Sequence, residues 1–346
     1  VSMYKKLAEV YTKSGNHIKA VQMYEKAAAL DTKDVGLLSL LAESQAKSGN
    51  LSAAVLTLEQ AVAMNPAASE EYKNLGDLYM QQKKIDSAVK NYMKYLEKSQ
   101  NNAIAKLVAE NFYNQKKYSD AVKYFGMITG AEASEASMLF KYATSCLNAK
   151  DEFRAYQLYK QLANLTPKDP AVFEKLYEIA GRAGTKDEVM NYLKKYTELV
   201  PSDAKSLVTL ADMLYDKKDE TGALNAYRNA LKADPGIKGI FKRYASLVMS
   251  SGSESEKVTA LNGAINSGEA DALMYQTLAD IYNKQNLIDK AIPLYEKAAQ
   301  LDTKNSTLLT SLAECQVKKG LINDAILTYE QVVAVEPRAD KEYKRL

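Results

Sequence analysis

No tryptophan occurs in the 346 residues, and histidine and cysteine are nearly missing, with one and two copies. A single histidine rules out metal sites built on a histidine pair and leaves one candidate, His17, for histidine-based catalysis. His17 has no neighbouring Cys or Asp and sits among turn residues, so an exposed turn position is expected. Cys146 and Cys315 lie far apart with no CxxC spacing; they read as two buried thiols and carry no information about compartment. No apolar run, Leu37–Ala42 included, approaches the roughly 18 residues of a membrane span. No glycine is followed by lysine, which excludes the phosphate-cradling GxxxxGK loop. Ser202-x-x-Lys205 has the S-x-x-K spelling but none of the companion motifs that would make it catalytic. Charge of one sign is also lacking: 46 Lys and Arg face 43 Asp and Glu, a net charge of +3. Basic residues come at most in pairs such as Lys83-Lys84 and Lys242-Arg243, unlike the clustered basic face of a nucleic-acid binder. Apolar residues at 47% and charged residues at 26% match a folded chain and exclude disorder.

What is present is a period. Tyr4-x-x-Leu7-Ala8-x-x-Tyr11, then Gly15, then Ala20-x-x-x-Tyr24-x-x-Ala27 defines a pattern that returns every 34 residues, with one 33-residue step at 69–101. The copies run 1–34, 35–68, 69–101, 102–135, 136–169, 170–203, 204–237, 238–271, 272–305 and 306–339, and 340–346 begins a truncated eleventh. Numbering slots within each copy, slot 8 is small in nine of ten copies and slot 20 is Ala in eight of ten. Slot 24 is always large: Tyr24, Leu58, Tyr92, Phe125, Tyr159, Leu193, Tyr227, Leu261, Tyr295 and Tyr329. Slots 4, 7, 8 and 11 have the i, i+3, i+4, i+7 spacing of one helix face, and slots 20, 24 and 27 mark a second helix. Gly or polar residues between them end the first helix. Five of seven prolines (Pro66, Pro167, Pro201, Pro235 and Pro337) share slot 32, where a helix has stopped. Small residues at slots 8 and 20 let paired helices approach, and the large slot-24 residue fills the space beside them. A lone pair cannot bury its apolar face, so the pairs must stack along a line. Length therefore counts repeats, not globular domains, and a single solenoid over 1–346 is expected.

These residues resemble the tetratricopeptide repeat family over nearly the whole chain. The resemblance implies an all-α, right-handed superhelical solenoid of antiparallel helix pairs. It also implies that the first helix of each pair lines a concave groove for peptides or partner proteins. There are departures. Slot 4 is never Trp, Tyr177 with Val189 weakens the sixth copy, and Lys257 in slot 20 weakens the eighth. Pro293 falls in a second helix and reads as an early-turn position or a kink. The stretches 126–134 and 250–255, rich in Gly, Ser and Glu, are candidate joints.

A longer period overlies the short one. Met3–Leu75 aligns without gaps on Met274–Leu346, an offset of 271, with about half the positions identical. Duplication of a multi-repeat block accounts for this; two equivalent binding stations along one chain is the functional alternative.

Slot 9 is acidic in eight copies of ten: Glu9, Glu43, Asp77, Glu110, Glu178, Asp212, Asp280 and Glu314. Slots 5 and 13 often carry bases, among them Lys5 and Lys13, and i,i+4 pairing on the helix surface accounts for many of these charges. It does not account for Asp212, whose slot-13 neighbour is Asp216. If the resemblance holds, slot 9 faces the groove. Slot 12 adds Met80, Tyr113, Tyr215 and Met249, which suit an amphipathic or extended peptide. The family's chaperone-binding subset clamps a carboxylate with Lys, Asn and Arg on these faces; acids at slot 9 disfavour that use here.

The expected function is a non-enzymatic interaction scaffold holding a neutral-to-basic protein segment with apolar anchors. No catalytic, cofactor or metal-binding residue is expected, and neither nucleic acid nor a membrane span. The alternative is a regulatory or assembly segment of a larger protein whose further parts are enzymatic, DNA-binding or membrane-anchoring, since the pattern is cut at both ends. End-to-end self-association is a further expectation, because neither end shows a polar cap. A soluble chain is expected, in bacterial cytoplasm or periplasm without a choice between them.

Overall fold

The computed structural model describes residues 1–336; Pro337 and the eleventh-repeat start at 340–346 lie outside the described residues. Its contacts divide the chain into two compact units, one over Val1–Thr185 and a second from Lys186 onward. The first holds α1 (Ser2–Lys13), α2 (His17–Leu30), α3 (Val35–Lys47), α4 (Leu51–Met64), α5 (Ser69–Gln81) and α6 (Ile85–Leu96). It continues with α7 (Asn102–Asn114), α8 (Tyr118–Phe125), α9 (Ala136–Asn148), α10 (Glu152–Leu165) and α11 (Pro170–Ala183). The second holds α12 (Lys186–Leu199), α13 (Ala204–Asp216), α14 (Glu220–Ala233), α15 (Phe241–Ser251) and α16 (Glu254–Asn266). It ends with α17 (Ala272–Lys284), α18 (Ile288–Leu301), α19 (Ser306–Lys319) and α20 (Ile322–Val335). No strand occurs among the described residues. The protein is all-α, and within each unit successive helices pack side by side, the local architecture of a helical solenoid.

Local chemistry sets the helix ends. The residue before a first helix is often Asp or Asn: Asp34, Asn101, Asp203, Asp271 and Asn305 each accept a backbone N–H of the next turn at 3.0–3.2 Å. Each satisfies one of the four orphan donors a helix start exposes. Between the helices of a pair, slot 15 adopts the left-handed conformation that closes a helix C-terminus. Gly15, Gly49 and Gly320 do so at φ 77, 91 and 82, and Lys83, Lys116, Lys150, Lys218 and Asn286 do so at φ 59–67. The sixth and eighth pairs differ. Gly184 and Gly252 end α11 and α15 in extended conformation, at φ −106 and −81.

Packing follows the slots. Ala8, Ala20, Tyr24 and Ala27 form one buried cluster with Leu37 and Leu41, and Ala279, Ala291, Tyr295 and Ala298 form another with Leu308 and Leu312. The 271-residue duplication reaches the side-chain level. Thr57 Oγ1 donates to Gln45 Oε1 at 2.8 Å in the first unit, and Thr328 Oγ1 donates to Gln316 Oε1 at 2.8 Å in the second, both buried. Cys146 and Cys315 are free and buried. Burial pushes the Cys146 thiol up to about 12, with the Asp151 charge adding to it, so it behaves as a small apolar residue.

The turn reading of His17 and the early-turn option at Pro293 need revision. His17 is not a turn residue: it opens α2, is half-buried, and its Nδ1 has no hydrogen-bond partner. Pro293 lies inside α18, beyond the first turn, and the helix continues past it. Pro293 is solvent-exposed, so the Asp289 carbonyl it leaves without an amide faces the water side. The two candidate joints do not coincide with the division between units, which falls at 185/186. The 126–134 stretch contains a 3-10 turn at Gly130–Ser134 and is tied to α7 through Asn102 Nδ2, which donates to the Thr129 carbonyl at 2.9 Å. In the 250–255 stretch, Ser253 caps α16.

Candidate functional site

Slots 5, 9, 12 and 13 lie along first helices, so the candidate residues fall on one face per repeat. Lys5, Glu9, Lys13, Glu43, Asp77, Met80, Glu110, Tyr113 and Glu178 belong to the first unit; Asp212, Tyr215, Met249, Asp280 and Glu314 belong to the second. Slot-12 Met80, Tyr113, Tyr215 and Met249 are all half-buried, while Glu9, Lys13 and Glu43 are exposed.

Slot 9 divides by residue type. In three repeats it is Asp, and each aspartate accepts a hydrogen bond from the slot-24 tyrosine of its own repeat. Tyr92 Oη donates to Asp77 at 2.7 Å, Tyr227 Oη to Asp212 at 2.5 Å and Tyr295 Oη to Asp280 at 2.5 Å. Burial of the phenols, reinforced by the carboxylate, raises all three above their ordinary value. In the fifth repeat Thr144 and Tyr159 hydroxyls replace the pair at 3.1 Å. Every slot-9 Asp has Tyr at slot 24, while Glu43, Glu110 and Glu178 accompany Leu58, Phe125 and Leu193 and Glu9 and Glu314 accompany Tyr24 and Tyr329.

Neighbouring repeats supply the other partners. Lys141 donates to Glu110 at 2.6 Å and Arg243 Nη1 to Asp212 at 2.9 Å, in both cases from slot 6 of the following repeat. Arg243 also lies 3.6 Å from Asp216 and over the Tyr215 ring, 5.2 Å from its centroid. Asp212, which i,i+4 pairing left unexplained, is thus held by its own repeat and the next. Glu43 pairs with Lys47 at 2.6 Å, Asp77 with Lys73 at 3.3 Å and Glu178 with Lys175 at 2.8 Å. Lys5 approaches Asp34 at 4.0 Å. Tyr113 meets Tyr118 edge-on at 6.0 Å.

Two slot-9 acids come together around one open cavity. Between α3 and α5 a concavity of about 490 Å³ is lined by Ser39, Leu40, Ala46, Asn74, Glu43 and Asp77, with Leu58 of α4 reaching into it. Ser39 Oγ donates to Glu71 at 2.9 Å across the two repeats. Apolar patches beside carboxylates are what an extended segment with basic and apolar side chains would need. Among the described residues no three His, Cys, Asp or Glu side chains converge as metal ligands, and no helix is long and apolar enough to cross a membrane.

Stacked helix pairs with small residues at the close contacts define the class: an α-helical repeat protein. Tetratricopeptide repeat profiles match residues 11–76, 72–102 and 282–346. The chain contains tetratricopeptide repeats in these segments, and proteins of that family bind protein partners. The first and last matched segments are related by the 271-residue offset. Among curated proteins it is similar to the small glutamine-rich tetratricopeptide repeat-containing protein 2 of Mycosarcoma maydis, 24% identical over 137 residues. That match spans 38% of this chain and 39% of that protein. Among solved structures it is similar to the C-terminal part of a tetratricopeptide repeat protein from Cytophaga hutchinsonii, at 16% identity and a TM-score of 0.35, covering 67% of this chain and 96% of the other. A tetratricopeptide repeat protein from Parabacteroides merdae matches at 15% identity and a TM-score of 0.36, covering 72% of this chain and 98% of that one.

Proposed function

We propose that this chain is a non-enzymatic scaffold that holds a neutral-to-basic protein segment with apolar anchors against its first-helix face. The observation that carries this reading is the cavity between α3 and α5, where exposed Glu43 and half-buried Asp77 flank Leu40 and Ala46. Slot-12 Met80 and Tyr113 continue the half-buried apolar surface in the same unit. A protein partner suits the charge distribution better than nucleic acid does. Lys47, Lys73, Lys141, Lys175 and Arg243 on these helices are engaged by carboxylates, not gathered into a basic strip.

Glu43 is the residue to test. Its ion pair with Lys47 lies within one helix at the surface, so reversing its charge leaves the packing intact. Asp77, Asp212 and Asp280 are poorer choices, because each also accepts a tyrosine hydroxyl. Fluorescent peptides of basic–apolar, neutral and acidic composition are titrated against the whole chain by anisotropy. Basic–apolar peptides are expected to bind best, to weaken with salt, and to lose about tenfold in affinity with Glu43→Lys. A preference for acidic peptides, or equal binding by the variant with an unchanged circular dichroism spectrum, would refute the assignment.

A further inference from the structure

The duplication compares two surfaces on equal terms, since every position in the two blocks has had the same time to diverge. Eight residues lining the α3–α5 cavity have counterparts 271 positions later, and of these only Ala42 and Glu43 recur, as Ala313 and Glu314. Leu40 has become Ser311, and Leu58 has become Tyr329. A second open groove, of about 560 Å³, is walled by α2 and α4 and floored by Leu38 and Leu41 of α3. Nine residues line it, none of them shared with the first cavity. Eight of the nine recur unchanged, and only Met64 differs, as Val335. The groove lies between two adjacent helix pairs, and its lining ends at Met64, so the counterpart is complete by Val335, within the described residues.

Burial accounts for only part of this. Leu38 and Leu41 are core residues, as are Leu309 and Leu312, and Thr57 and Thr328 each bond a buried glutamine. Glu25, Thr32, Gln60 and Ala63, however, are exposed, and so are Glu296, Thr303, Gln331 and Ala334. Packing leaves such positions free to change. Leu56 stands one and two turns before Gln60 and Ala63 on the same side of α4. It is 63% exposed, its counterpart Leu327 is 59% exposed, and Met64 is 42% exposed. Among the described residues neither Glu25 nor Glu296 has an ion-pair or hydrogen-bond partner for its carboxylate. Each copy therefore sets an unpaired acid beside an apolar trough with an exposed leucine at its edge, which suits apolar side chains with a base next to them. The trough offers side chains and no sheet edge. An extended segment would press its backbone N–H and C=O groups against Leu38, Leu41 and Met64 unsatisfied, whereas a helix bonds its own.

We propose that the α2–α4 groove and its copy between α18 and α20 are two docking sites for one kind of partner, an amphipathic helix with a basic residue beside its apolar stripe. These sites are built on second helices, separate from the first-helix cavity of the proposed function, and do not rest on that reading. The duplication thus doubles the second-helix groove and leaves the α3–α5 cavity single.

Isothermal titration with a defined probe tests this: a helical peptide carrying leucines every third or fourth residue and lysines beside them. The whole chain is used with Glu43→Lys, so that the α3–α5 cavity does not take the same peptide. Two peptides per chain are expected. Ala63→Arg fills the first groove and Ala334→Arg the second, both at exposed helix positions. Each alone leaves one peptide per chain, and together they leave none. Glu25→Gln with Glu296→Gln keeps the shape of both grooves, weakens binding about tenfold, and covers the case in which an arginine variant misfolds by circular dichroism. A proline-broken peptide of the same composition does not bind. No binding, one peptide per chain before any arginine is added, or arginines that fail to remove one peptide each would overturn the proposal. So would equal binding of the proline-broken peptide, or an affinity indifferent to the two glutamates.

Discussion

A phenol hydroxyl buried against an aspartate links two helices only while it keeps its proton. Tyr92, Tyr227 and Tyr295 are each in that position, and burial with the adjacent carboxylate holds their ionisation above its ordinary value. Tyr79 beside Glu59 and Tyr244 beside Glu256 are pushed up to about 12 by the same causes, burial first. In the unfolded chain tyrosine loses its proton near 10. Below that, folded and unfolded tyrosines are both protonated and the stabilisation is complete. Above it the unfolded state releases protons first, so stability falls as pH rises from about 10 towards about 12. Thermal melts across that range should show a steep alkaline loss, made shallower by Tyr79→Phe and Tyr244→Phe. At neutral pH, Tyr227→Phe should cost about 0.5–1.5 kcal/mol in urea unfolding. The low end is expected, because Asp212 keeps Arg243.

Eight of the ten helix pairs turn on one left-handed residue, and the chain uses two chemistries there. Gly49 adopts it at φ 91, while Lys116 is held at φ 59, where a Cβ meets the following carbonyl at a cost of about 1–2 kcal/mol. Lys116→Gly relieves that clash but adds freedom to the unfolded chain, for a net gain of about 0.5–1 kcal/mol. Gly49→Ala should lose about 1 kcal/mol, and chemical denaturation of the two variants reads both. Gly252 behaves differently despite sharing the slot. It is extended, and an added methyl would collide with Val248, so Gly252→Ala destabilises through contact instead of through φ.

At the scale of the molecule, the two units meet in sequence within the sixth repeat, where Tyr177 and Val189 replace the small residues at both close-approach slots. Gly181, Arg182, Gly184, Thr185 and Lys186 around the division are exposed. Limited trypsin digestion should therefore cut first at Arg182 or Lys186 and leave two resistant fragments; a first cut at Lys123 or Lys257 would contradict this. Helix positions, the small-residue contacts and the duplication were legible in sequence, because each depends on residues at fixed spacing within or between repeats. The Asp–Tyr pairs were legible only as an acid and a tyrosine at slots 9 and 24, a coincidence that Glu9 with Tyr24 and Glu314 with Tyr329 share. The partners of Asp212 and Glu110 were not, since Arg243 and Lys141 reach them from the next repeat, and only stacking brings slot 6 beside slot 9. Nor was the cavity that gathers Glu43 and Asp77. The sequence by itself determined the repeat, its helices and their contact residues, all consequences of local spacing. Which acids are neutralised, where apolar surface stays open and where the stack divides were decided by tertiary structure, because these depend on which helix packs beside which.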